Sequence, residues 1–266
     1  MSNDILMQML WMFPVYSFFG WCLEVINSAA YRGKLSNRGF LNGSICPVYG
    51  VGAIMLALLF TPIKDNLFLL FFAAMVTASA VELTVGFLLK KCFHMTWWDY
   101  SDKKFNLGGY ICLQVSLIWG VAGVMLLRVI HPMFYYAEIS IPPLIVKVLL
   151  IAFYIYFLVD IIITLLSILK FNHALREITK LSDLIHKGSD VMANDIGLAT
   201  LDAVDKIKNL DLDKKANIKK LNDLLDYSAN AHARMLNAFP KMKSLRNSNA
   251  LLEVKRRVAD LAKKKD

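Results

Sequence analysis

Five apolar blocks, at about residues 5–30, 47–60, 67–89, 110–130 and 144–169, occupy most of the first 170 residues. A helix needs ~20 apolar residues to cross a bilayer, and it satisfies its own backbone hydrogen bonds where no water can. The pattern predicts membrane-crossing helices. The second block is short for a span and is expected to tilt or to be partly covered by its neighbours. Composition agrees: 57% of residues are hydrophobic and 19% charged, against about 25% charged in soluble domains. The N-terminus, Met1-Ser2-Asn3-Asp4, carries no basic residue and runs into the first block, so it reads as a first span and not a cleaved signal.

Loop charges set an orientation. The loops after the first and third blocks carry three and four Lys/Arg, the N-terminus none, and the loop after the second block one. The loop after the fourth block has only Arg128, at its edge. Basic loops stay inside, which predicts five spans in the plasma membrane, N-terminus out and C-terminus in. The fold class expected is all-α: a polytopic membrane helical bundle over residues 1–170 with a cytoplasmic amphipathic helical tail over 171–266.

Net charge is uneven. Residues 1–170 hold eleven Lys/Arg against eight Asp/Glu, residues 171–266 nineteen against thirteen. A basic tail behind a membrane domain suits anionic lipid or a protein partner, and not nucleic acid. In the tail, Leu175, Ile178, Leu181 and Ile185 continue a helix out of the fifth block, and Gly188 is expected to break it. Residues 191–210 and 213–239 read as further amphipathic helices. Leu251, Val254, Val258 and Leu261 form a seam too short for a coiled coil. Together they predict a small helical bundle or an extended partner-binding arm.

Two loops stand out. Residues 37–52 hold Arg38, Gly39, Gly43, Pro47, Gly50 and Gly52, more positions permitting unusual backbone geometry or close approach than a plain solvent loop needs. The second runs from Trp97-Trp98-Asp99-Tyr100-Ser101 to Asn106. Arg38 and Asp99 are the expected latch between them, a guanidinium facing a carboxylate.

Glu24, Glu82 and Asp160 lie inside apolar blocks, where a charge costs at least ~2.5 kcal/mol. They sit about seven, eight and ten residues from the predicted cytoplasmic ends, one layer about 10–15 Å deep at 1.5 Å per residue. Gln114 and Ser116 enter the same layer. The expectation is one water-accessible cavity opening to the cytoplasm, with Arg32 or Arg38 as counter-charge and Tyr100 and Asn106 at its rim. The plainer reading is that each acid caps a helix or bonds a neighbouring hydroxyl. The tryptophans read first as an interfacial belt. Cys22, Cys46, Cys92 and Cys112 show no CxxC spacing, and neither a metal site nor a cofactor is expected. GxxxxGK[ST], GxSxG, HExxH and GxGxxG are all missing from the sequence.

Several of these residues fall in a larger pattern: Gly20-Trp21 with Glu24, Arg32-Gly33, Asn37-Arg38-Gly39-Phe40-Leu41-x-Gly43 and Cys46-Pro47-x-Tyr49-Gly50. It continues through Glu82 with Gly86, Trp98-Asp99-Tyr100-Ser101, Asn106, Gly109-x-Ile111-Cys112-Leu113, Ser116 and Trp119-Gly120. Over about residues 10–165 the chain resembles the bacterial ABC-transporter permeases of the CmpB-like, type IV group. Ser44 stands where that pattern expects proline. The resemblance implies a membrane component of a transporter; its energy would come from a separate ATPase subunit touching the cytoplasmic loops or from ion coupling through Glu24 and Glu82. A five-span protomer is small for a translocation path, so a homodimer is expected on size. Three functions stay open: a permease-like subunit, a membrane-embedded enzyme acting on a lipid-like substrate through the same acids, and a scaffold or sensor recruiting partners through its tail.

Overall fold

The computed structural model describes residues 2–33, 36–134, 141–195 and 201–263. Helices dominate them: α1 (Ser2–Arg32), α2 (Pro47–Phe60), α3 (Leu67–Phe93), α4 (Leu113–Met125, helical on to Phe134), α5 (Pro143–Asp195), α6 (Leu201–Ala238) and α7 (Ser248–Lys263). Four of these, α1, α3, α4 with its continuation, and α5 up to His186, are long and apolar enough to cross a membrane. With 14 residues α2 is not. Five expected spans therefore become four helices of spanning length and one short apolar helix.

Local signals explain the helix starts. Pro47 opens α2, where its missing N–H costs nothing. Asn66 caps α3 by accepting from the Leu69 N–H at 3.1 Å. Two prolines sit deeper. Pro14 lies inside α1 and frees the carbonyl of Leu10, four residues back. The Tyr154 hydroxyl of α5 donates to that carbonyl at 3.0 Å. Pro132, just past the end of the fourth apolar block and read from sequence as part of the turn that follows it, belongs to the helix instead. Its ring would clash with the carbonyl four residues earlier, and the helix widens into a π turn over Leu126–Ile130 just before it.

The chain divides into two compact units, 1–165 with 237–242 and 166–236 with 243–266. In the first, α2, α3 and α4 share a core of Leu56, Ala57, Leu70, Ala74 and Leu127, and Ser79 donates to Ser116 across α3 and α4 at 2.7 Å. Arg128 at the end of α4 pairs with Asp65 at 2.7 Å, tying it to the turn after α2. At the other end the two marked loops meet, with the Phe40 and Trp97 rings 5.5 Å apart. The second loop holds a hairpin the sequence reading did not anticipate, β1 (Asn106–Leu107) with β2 (Ile111–Cys112), antiparallel, Asn106 opposite Cys112. Strands of two residues leave no periodicity to read.

In the second unit Ile168, Phe171, Leu175, Ile178, Leu181, Ala229, Leu236, Leu251, Val254 and Val258 are buried. The Phe171 ring lies 4.5 Å from His232, and Thr179 donates to Asn247 at 3.2 Å. Gly188 does not break its helix: α5 runs through it to Asp195, since one interior glycine costs only about 1 kcal/mol. The helix expected over 191–210 is split, its first residues ending α5 and its last opening α6; 196–200 lie outside the described residues. The helix expected from 213 starts at Leu201.

Candidate functional site

Glu24 sits on α1 one turn beyond Gly20. A Cβ on Gly20 would lie 2.2 Å from the Tyr49 ring, so only glycine lets that ring cross α1. So placed, the Tyr49 hydroxyl donates to Glu24 Oε1 at 2.7 Å. Glu24 Oε2 lies 3.5 Å from Arg38 Nη1. The Tyr49 ring is also in edge contact with Trp119 of α4, centroids 5.5 Å apart. Trp119 Nε1 donates to Glu82 Oε2 at 3.0 Å, and the Tyr100 hydroxyl donates to Glu82 Oε1 at 3.2 Å. Glu24 thus has a cation and a phenol, and Glu82 two neutral donors and no ion-pair partner among the described residues.

Both acids line one cleft of about 1220 Å³, with Arg38, Asp99, Tyr100 and Trp119. Its walls are mostly apolar: Leu23 and Ile26 from α1, and Ala78, Val81, Val85 and Leu89 along one face of α3. Leu23 and Ile26 are 57% and 63% exposed.

The loop bearing Arg38 is held from two sides. Asn37 Oδ1 accepts from Trp21 Nε1 and from the Gly39 N–H, both at 2.9 Å, while its amide donates to the Asn42 carbonyl at 2.8 Å. From α5, Asp160 accepts the Asn42 N–H at 3.1 Å and the Gly43 N–H at 2.8 Å, and Thr164 accepts from the Asn42 amide at 2.9 Å. A Cβ on Gly43 would lie 1.8 Å from the Tyr156 hydroxyl. Asp160 is only 5% exposed and does not line the cleft. It matched the other acids in residue type and depth, but its oxygens are taken by backbone donors.

The remaining expected residues separate in the same way. Arg38 lies on Glu24 and not in the expected latch, because Asp99 folds back on its own loop and accepts from the Ser101 N–H at 2.9 Å. Ser116 is spent on Ser79. Gln114 is exposed. Asn106 braces the hairpin, accepting from the Gly109 N–H at 3.2 Å and donating to the Lys103 carbonyl at 2.8 Å. The side chain of Arg32, the other expected counter-charge, lies outside the described residues. Sequence reasoning assigned no role to Tyr49 and took Trp119 for a belt residue. Each stands next to a glycine of the quoted pattern, Gly50 and Gly120, and that adjacency was the available signal.

Outside the helices two groups that line the cleft are shifted. Burial, then Glu24, pushes the Cys46 thiol up to about 12 against the opposing pull of Arg38. It stays a thiol at neutral pH and is a poor nucleophile. Burial and the neighbouring Glu82 push the Tyr100 phenol well up, keeping it a donor. Among the described residues no three His, Cys, Asp or Glu gather where they would hold a metal ion.

A family model matches residues 11–165, more than half of the chain and all of the Glu24–Glu82 site. The chain belongs to the family described as "Putative ABC-transporter type IV". Comparison with curated proteins and with solved structures returns no match. Membership in this ABC-transporter family, together with the four apolar helices, makes the chain a membrane-embedded protein of a transporter class. The match ends before α6 and α7.

Proposed function

We propose that the chain is the permease-like subunit of a transporter, with the cleft between α1 and α3 as its substrate path. One observation carries the reading: Glu24 and Glu82, from separate apolar helices, line the same cleft. Intramembrane acids are costly and mark substrate or ion paths by default. Arg38, Asp99 and Lys103, from the two loops that carry most of the basic loop residues, line the cleft, and the positive-inside rule supports a cytoplasmic place for those loops. In this reading α2 is the tilted fifth span, the N-terminus is outside, and the tail stays in the cytoplasm near anionic lipid of the plasma membrane. The chain lacks a P-loop, so a separate ATPase subunit supplies the energy, and two copies of the chain assemble.

The test is transport by cells that depend on this chain. Glu24→Gln and Glu82→Gln, each shown by gel filtration to insert and fold, are expected to abolish it. Full transport by both variants would end the proposal. Ser101→Cys is expected to label only from the cytoplasmic side; labelling from outside would overturn the orientation.

A further inference from the structure

We propose that the cleft binds a lipophilic organic cation, its charge on Glu82 and its apolar body against α1 and α3, reached sideways from the bilayer. This rests on the reading of the cleft as a substrate path and names the class of substrate.

Charge is the first argument. Arg38 neutralises Glu24 at 3.5 Å. Glu82 receives only the Trp119 N–H and the Tyr100 hydroxyl, so in its carboxylate form it leaves this inner group with one negative charge in excess. Such a charge in an apolar setting is stabilised by a cation brought to it. Lys103 and Lys241 also line the cleft, but Lys241 is held by Asp102 at 3.1 Å, and Lys103 is exposed on the loop. Ring chemistry is the second argument. Tyr49, Trp98, Tyr100 and Trp119 surround the acids, and aromatic faces attract organic cations, most strongly where water is excluded.

Access is the third. The wall of α1 presents Leu23 and Ile26, which line the cleft and keep more than half of their surface uncovered by protein. On a spanning helix such residues face lipid. A ligand dissolved in the bilayer therefore meets the cleft along its side, and a body of several rings or a long chain fits about 1220 Å³.

Equilibrium dialysis of the full-length chain in a neutral detergent tests this, with labelled tetraphenylphosphonium as the probe and uncharged triphenylphosphine oxide as its comparison. Saturable binding of the cation is expected, at least about tenfold tighter than the neutral compound, equivalent to ~1.4 kcal/mol. Glu82→Gln is expected to erase that preference and Glu82→Asp to keep it, both variants eluting as the native chain does. Equal binding of the two compounds, or an unchanged preference in Glu82→Gln, would overturn the proposal. In the latter case the preference comes from a group other than Glu82. If the cation binds through Glu82 but is not moved across reconstituted vesicles containing the whole transporter, the site stands and the transport reading falls. Transport abolished by Glu82→Gln without any preference for the cation leaves the transport reading intact and sinks this one.

Discussion

Arg38 Nη1 stands 3.5 Å from Glu24 Oε2, which makes a residue of the first loop the counter-charge of an acid inside the first helix. The contact spans only fourteen positions of sequence, yet it depends on α5 much further along. Asp160 and Thr164 hold Asn42 and Gly43, and Asn37 ties that segment to Trp21. Arg38 sits between those two anchors. The pair is part of a packed assembly.

Gly20→Ala places a methyl 2.2 Å from the Tyr49 ring. The ring has to move, and its hydroxyl leaves Glu24. Overpacking of this kind costs about 1–3 kcal/mol, to be read as a lowered melting temperature in detergent. Tyr49→Phe, which keeps the ring and loses only the hydroxyl, is expected to cost less.

Asp160→Asn keeps the shape of the side chain but leaves it one acceptor oxygen for two backbone N–H groups. A buried donor left unsatisfied costs about 1–3 kcal/mol. Hydrogen exchange at residues 38–46 is expected to quicken, with the rest of the helices unchanged. Unchanged exchange together with lost transport would mean that Asp160 acts in the path itself and not as the anchor of the loop.

Tyr154→Phe strips the hydroxyl from the Leu10 carbonyl that Pro14 leaves free. Hydrogen bonds inside membranes average about 0.6 kcal/mol and reach ~1.7 kcal/mol, so a small loss of thermal stability is expected. Combining it with Pro14→Ala, which restores the helical donor, is expected to recover most of the loss. A double variant no more stable than Tyr154→Phe alone would refute this account of Pro14.

His232 in the second unit is buried beside Phe171, and burial holds its pKa below the usual 6.5. The unfolded chain therefore takes a proton that the folded chain refuses, so stability rises with pH through that window. The contribution is present above pH 6.5 and is lost as the pH falls towards the folded value. Exchange protection of α6 and α7, followed from pH 7.5 to 5, is expected to fall in the native chain and to stay flatter in His232→Gln.

Much of the architecture was legible in the sequence because it is local. Runs of apolar residues, Pro47 at the start of α2 and Asn66 before α3 carry their meaning within a few positions, and the structure places those helices close to the expected bounds. Pro132 and Gly188 misled for the same reason. A breaker's local cost of one to a few kcal/mol does not by itself end a helix whose neighbouring turns keep their hydrogen bonds.

What the order of residues determined alone was a set of apolar helices, their family, and the presence of three acids inside them at similar depth. Only the tertiary structure decided that Glu24 and Glu82 share a cleft while Asp160 is consumed by the backbone of a loop, and that Arg38 serves Glu24. Carboxylates at equal depth are indistinguishable until one knows which donors lie within about 3 Å. Those donors come from elements up to 118 positions away, where no periodicity reaches.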